Sequence, residues 1–280
     1  SVSRLAPDLY FIVTGTGFRT HDLAWMRCNL PAGVEAEIID VTEQYGCLSL
    51  MGPRAREVLR GVTGADVSSE AFPFGACREI EVAGVRLRAL RITYVGELGF
   101  ELHVPVGGIE GVYATLTQAG EAQGIADAGY RAIESLRLEK AYRTWGADIG
   151  ADTTPDEAGL GFAVRKDLSR GFLGRDALVE KRKAPLARKL AIFTVDDPEI
   201  VLLGRETIIR NGEAVGWLTS GGWGYTIGTN IGLGYVRSAN GVTDEFLAEG
   251  DYRLEVAGEE VPARFRARPL YDPTGSRPRS

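Results

Sequence analysis

Beyond Pro185 the chain strings together six short strand-like runs, Leu190–Val195, Glu206–Arg210, Ala214–Thr219, Ile231–Val236, Asp251–Val256 and Glu260–Arg266, with no helical periodicity between them. Each run is apolar or alternates apolar with polar residues, as strands packed on one face require. Asn211-Gly212 separates two of them, and that dipeptide favours the left-handed backbone of a two-residue hairpin turn. A strand-only segment has to hide its edges by closing on itself or by sandwiching. A small closed or sandwiched β domain is therefore expected. The basic, proline-containing stretch Lys181-Arg182-Lys183-Ala184-Pro185 predicts its upstream boundary, dividing the chain into 1–183 and 184–280.

Upstream, strands and helices alternate. Strands are expected at Leu9–Val13, Glu35–Val41 and Cys47–Met51, and Arg78–Val82 with Val85–Ile92 reads as a hairpin turning at Ala83-Gly84. Thr20 is a natural N-cap for a helix ending before Pro31, Pro53 opens a second helix with Ala55, Val58 and Leu59 on one face, and further helices fit 107–123 and Tyr130–Trp145. The pattern predicts a sheet with helices packed on it, hence an α+β fold.

Composition narrows the function classes. With 280 residues, 44% hydrophobic and 25% charged, the chain can bury two cores. A net charge of −6 supplies no basic field for nucleic acid or anionic lipid, which points to small-molecule or protein partners. Cys28, Cys47 and Cys77 are odd in number and lack a CxxC, arguing against a disulfide framework or a zinc site and for a reducing compartment. No apolar run approaches a membrane span, and the first residues lack the order of a signal peptide. Ser1-Val2-Ser3 lacks an initiator Met and runs almost directly into a strand, so the chain is expected to be cut from something longer.

Chemistry concentrates in Ile92–His103. Gly96 and Gly99 hinge a turn between strands, with Tyr94 before it and Glu101 after it. The ring could stack on a planar ligand while the carboxylate accepts N–H donors; a hydrated hairpin fits the same residues. Val13-Thr14-Gly15-Thr16-Gly17 lacks the third glycine of a dinucleotide fingerprint, which removes a nicotinamide or flavin site. His21 and His103 have no ligand spacing around them, so no metal is expected, and no GxSxG elbow exists. The charges at Arg131, Glu134, Arg137, Glu139, Lys140 and Arg143 read as a solvated helix face. Thr219–Asn230, rich in glycine and carrying Trp223 and Tyr225, reads as a long loop whose tryptophan is either a plug or a ligand wall.

Four segments together resemble one family. Thr93-Tyr94-Val95-Gly96-Glu97-Leu98-Gly99-Phe100-Glu101 is similar to the Y-T/V-G-E-x-G-φ-E turn of the glycine-cleavage T-protein aminomethyltransferase superfamily, where φ is apolar. Ser135–Gly146 running into Asp152–Leu160 resembles its S-L-R-L-E and T-P-x-E-A-G-L region, Thr219–Val236 its T-S-G…G-Y-V stretch, and Asp40–Arg56 the segment ending φ-x-G-P-x-A. The variant Lys-Ala-Tyr-Arg-Thr-Trp-Gly at 140–146 is most like the C-terminal folate half of dimethylglycine and sarcosine dehydrogenases.

The resemblance implies a ferredoxin-like aminomethyltransferase folate-binding module, N-terminally incomplete, over 1–183, followed by a C-terminal β-barrel domain over 184–280. It implies tetrahydrofolate as cofactor in a cleft between the α/β sheet and the β domain, a small N-methylated amine or its iminium as substrate, and 5,10-methylenetetrahydrofolate as product. FAD would reside only in a separate oxidoreductase domain or subunit, in the bacterial cytoplasm or the mitochondrial matrix. Carried over by position, Tyr94 matches the folate wall and Glu101 the pterin carboxylate, with Leu102 and His103 lining it. Phe162 stands where the dimethylglycine branch carries a tyrosine, and Trp223, Tyr225 and Tyr271 are further binding residues. The family's catalytic aspartate precedes the stretch matching Val2–Leu5, leaving the catalytic residue unassigned. Gly15 replaces a T-protein asparagine, as in the dehydrogenase branch, and Ile133 replaces a T-protein arginine, which points away from a lipoyl-carrier partner. Rival expectations are a docking module that has lost folate and a folate-dependent demethylase of the same superfamily.

Overall fold

Residues Val2–Ala6 (β1) and Leu9–Ile12 (β2) form an antiparallel hairpin, and a turn of 3-10 helix at Thr16–Phe18 winds directly into the helix Arg19–Cys28 (α1). This continuity makes Phe18 the N-cap, so Thr20 lies inside the helix and not at its start. The computed structural model describes residues 1–169 and 171–280, which fall into two compact units: 1–93, 97–127 and 275–280 in the first, 94–96 and 128–274 in the second.

In the first unit, Tyr45–Met51 (β3), Ala55–Arg60 (α2), Cys77–Val82 (β4), Val85–Leu90 (β5), Gly99–Pro105 (β6) and Ile109–Gly120 (α3) build a four-stranded antiparallel sheet in the order β3-β6-β5-β4. Ala83 and Gly84, at φ 52° and 74°, form the expected hairpin turn. One sheet face is dry. Leu87, Ala89, Phe100, Leu102 and Val104 bury against Val58 and Leu59 of α2 and Val112 and Leu116 of α3, each large side chain contributing about 1.5–3 kcal/mol. Residues 35–41 form no strand. Asp40 turns the chain there, accepting from Thr42 N at 3.0 Å and holding Arg19 at 2.7 Å, a local bonding pattern that competes with a ladder. Residues 275–280 return to this unit, where Arg277 pairs with Glu97 at 3.2 Å and the buried Arg91 donates to the carbonyls of Phe72 and Ser280.

In the second unit, Tyr130–Glu139 (α4) and Arg175–Lys181 (α5) precede the strands Arg188–Val195 (β7), Thr207–Arg210 (β8), Glu213–Gly224 (β9), Thr229–Arg237 (β10), Tyr252–Val256 (β11) and Glu259–Arg266 (β12), with Asp244–Ala248 (α6) between β10 and β11. The six strands close into a barrel in the order β10-β7-β12-β11-β8-β9. Phe193, Ile208, Leu218, Val236 and Leu254 fill it. Asn211 and Gly212, at φ 51° and 83°, make the expected turn. The glycine-rich stretch is not a long loop: β9 runs through Gly224 and β10 resumes at Thr229, leaving a short turn around Tyr225.

Helix α4 stops at Glu139, short of the expected Trp145, and Ala141 then turns left-handed at φ 52°. Its charges are not all a solvated face. Arg137, Glu139 and Lys140 are 4%, 1% and 4% exposed, and each is paired within this unit. Arg137 donates to Asp148 at 2.8 Å and to Ser220 Oγ at 2.9 Å; Asp148 accepts from Ser220 at 2.8 Å and Thr219 at 2.5 Å, and its backbone carbonyl accepts from Tyr235 Oη at 2.8 Å. Glu139 caps the amide of Thr226 at 2.6 Å, and Lys140 Nζ reaches Asp272 at 3.1 Å. Asp148→Ala would remove the buried carboxylate partner of Arg137, leaving Glu134 at 2.8 Å as its counter-charge, and urea unfolding is expected to register a loss of about 1–3 kcal/mol; a loss well below about 1 kcal/mol would show that the network is not what fixes α4 against the barrel.

Candidate functional site

Period-two alternation on β6 sends Phe100, Leu102 and Val104 into the dry core, so Glu101 and His103 lie on the opposite sheet face. Pairing with β3 places Cys47 directly across from His103 and Ser49 across from Glu101; on the other side β5 sets Arg88 across from His103. Phe11 of β2 covers part of this face, its ring meeting the His103 imidazole edge-on at 5.2 Å. The Arg88 guanidinium lies over the rings of Phe11 and Tyr45, 4.9 and 5.1 Å from their centroids. A carboxylate, an imidazole and a thiol thus share one face beside an aromatic pair.

Their partners are incomplete. Glu101 is 21% exposed at its side chain and stands 3.7 Å from His103 Nε2, beyond hydrogen-bond range. His103 is 5% exposed, and its Nε2 is buried with no hydrogen-bond partner. Leaving such an atom unpaired costs about 1–3 kcal/mol. The Cys47 thiol is pushed up to about 11, chiefly by burial and further by the charge of Glu101, although the residue keeps solvent-exposed surface. At neutral pH it is a protonated thiol and not a nucleophile.

The other expected residues are placed as follows. Leu102 is fully buried in the core, so its side chain points away from the face it was expected to line with His103. Tyr94 belongs to the second unit; its hydroxyl donates to the Arg143 carbonyl at 3.0 Å and pairs with Thr144 Oγ1 at 2.9 Å, its ring stacks on Tyr142 at 6.1 Å, and burial raises its pKa. Phe162 and Tyr225 are 84% and 80% exposed. Trp223 is half-buried within β9, its carbonyl accepting from Ser135 Oγ at 2.7 Å, and Tyr271 is half-buried. The two hinge glycines serve different ends: Gly96 takes φ 78°, whereas a methyl at Gly99 would lie 3.1 Å from the Ile92 carbonyl oxygen. Cys47 was missed, because only the β3–β6 pairing brings it beside His103.

A family model described as the GCVT N-terminal domain matches residues 1–168, and one described as the glycine cleavage T-protein C-terminal barrel domain matches 188–272. The chain belongs to the glycine cleavage T-protein family. Mitochondrial sarcosine dehydrogenase of Mus musculus is 38% identical over 99% of the chain and 32% of its own length, and mitochondrial dimethylglycine dehydrogenase of the same organism is 34% identical over 96% and 31%. The chain thus spans about a third of these relatives. The crystal structure of the glycine cleavage system aminomethyltransferase T from Bartonella henselae superimposes with a TM-score of 0.82 at 26% identity, covering 97% of this chain and 71% of that one. The family fold and its C-terminal barrel are therefore both present, in an aminomethyltransferase-type module related to sarcosine and dimethylglycine dehydrogenases. No described helix is long and apolar enough to cross a membrane.

Because only the thiolate reacts with alkylating agents, Cys47 labelling in chelator-treated protein is expected to keep rising above pH 9 and to be half-maximal near pH 11. Peptide mapping by mass spectrometry resolves this residue from Cys28 and Cys77, and a Cys47 rate that levels by pH 9 would contradict the assigned environment.

Proposed function

We propose that this chain is the tetrahydrofolate-binding, one-carbon-transfer module of a flavin-linked N-methylglycine dehydrogenase acting on sarcosine or dimethylglycine. The reading rests on Glu101, a partly buried carboxylate held on a rigid strand beside the orphaned Nε2 of His103. A carboxylate so placed accepts two N–H donors from the edge of a pterin through charge-assisted bonds, which are about twice as strong as neutral ones. His103 Nε2 is available to a polar group of the same ligand, and the desolvation it suffers in the empty face is relieved when that bond forms. When bound, tetrahydrofolate would supply the nitrogen nucleophiles that take up the one-carbon unit from the iminium formed after a flavin partner has oxidised the N-methylated amine, giving 5,10-methylenetetrahydrofolate and the demethylated amine.

This chain's residues bind and orient. The β3–β6 ladder fixes the Glu101 backbone, and the packing of Phe100 and Leu102 on the far face prevents the strand from rotating. On the family resemblance, Tyr94, Phe162, Trp223, Tyr225 and Tyr271 remain proposed ligand contacts, with Leu102 contributing through its backbone alone. The likeness to sarcosine and dimethylglycine dehydrogenases supports an FAD-dependent oxidoreductase domain or subunit as the partner that generates the iminium.

Tryptophan fluorescence during titration with tetrahydrofolate is expected to saturate, and Glu101→Ala is expected to weaken binding at least tenfold, about 1.4 kcal/mol, with Glu101→Gln intermediate. A flat titration, or Glu101→Ala binding as tightly as the parent, would overturn the assignment and leave the chain as a docking module.

A further inference from the structure

The thiol of Cys47, a carboxylate oxygen of Glu101 and a ring nitrogen of His103 all lie within 4.8 Å of one another. We propose that these three side chains form a binding site for a thiophilic divalent cation of the zinc class. Sulfur, imidazole nitrogen and carboxylate oxygen are the donor types that zinc selects, and three protein ligands with an open fourth position is the arrangement of its accessible sites. At bond lengths of about 2.0–2.3 Å a tetrahedral centre holds its ligand atoms about 3.3–3.8 Å apart, so side-chain rotations that close the present spread of up to 4.8 Å bring these three into one coordination sphere.

A second observation points the same way. His103 is 5% exposed, and its Nε2, buried and without a hydrogen-bond partner, faces Glu101 at 3.7 Å. A cation between the two would satisfy the nitrogen and neutralise the carboxylate together. Cys47 is exposed at its surface, which gives the ion a path in. The cation opposite His103, Arg88, is drawn over the rings of Phe11 and Tyr45. Strand geometry holds the ligands: Cys47 and His103 are direct cross-strand partners, and Glu101 is two residues along the same face. On binding, the metal–sulfur bond replaces the S–H bond and the thiol proton passes to bulk buffer, so no oxidant or reductant is needed.

The site shares Glu101 with the proposed folate contact. If that reading holds, cation and folate exclude each other, and metal occupancy switches the module off.

Cadmium is the probe, because its bond to a thiolate produces an ultraviolet charge-transfer band. Titration of the chelator-treated chain is expected to give a band that saturates at one equivalent, disappears in Cys47→Ser, persists in Cys28→Ser and Cys77→Ser, and needs at least tenfold more metal in His103→Gln. A band that survives Cys47→Ser, or His103→Gln binding cadmium as tightly as the parent, would overturn the proposal. Should His103→Gln fail to fold, Cys47→Ser, an exposed substitution, still decides. Cadmium is further expected to suppress tetrahydrofolate binding in the parent and not in Cys47→Ser. The band is read without folate, so loss of the folate response alone overturns the folate reading and leaves the metal site standing.

Discussion

The apolar alternation of β6 is the constraint on which the first unit depends. Phe100, Leu102 and Val104 are completely buried against the two helices, and together they favour one strand orientation by several kcal/mol at about 1.5–3 kcal/mol per side chain. A one-residue slip would exchange faces, exposing those three and driving Glu101 and His103 into hydrocarbon. The polar residues contribute little to this choice. Their position is a by-product of how tightly the opposite face packs, which is why an imidazole with an unpaired nitrogen is tolerated there.

Polar contacts organise the second unit differently. Arg137 and Asp148 are almost wholly removed from water, and their attraction offsets their desolvation only because Ser220, Thr219, Glu134 and backbone groups complete the bonding. Such a network adds little net stability compared with an apolar replacement. What it does fix is local: Arg137 ties α4 to β9 through Ser220 and to the following turn through Asp148.

Where sequence and structure agree, a local signal matches the tertiary outcome. All the barrel strands were legible, because their alternation and the Asn211-Gly212 turn are features of neighbouring residues. The glycine run after Thr219 misled for a physical reason: there glycine signals close approach inside a strand, since a methyl at Gly221 would press on Leu202 and Gly204, and one at Gly224 on Ile231. Residues 35–41 carry strand-like composition, yet no strand among the described residues pairs with them, and Asp40 captures the backbone instead. The charges of α4 looked solvated because their partners, Asp148, Ser220 and Asp272, are distant along the chain. Glu101 is proposed through its motif, whereas the thiol beside it depends on strand register, which spacing does not encode.

Helix α4 lies within the stretch matched by the N-terminal family domain, yet its buried side chains close hydrogen bonds on β9 and the turn after it. All six barrel strands lie within the matched segment 188–272, but the compact unit that contains them also takes in α4 and the residues around Asp148. A barrel inherited without α4 and the Asp148 loop would carry Ser220 and Tyr235 hydroxyls stripped of their acceptors in its wall. A cut of this chain at the family boundary would therefore part the barrel from the groups that complete the bonding of its own wall.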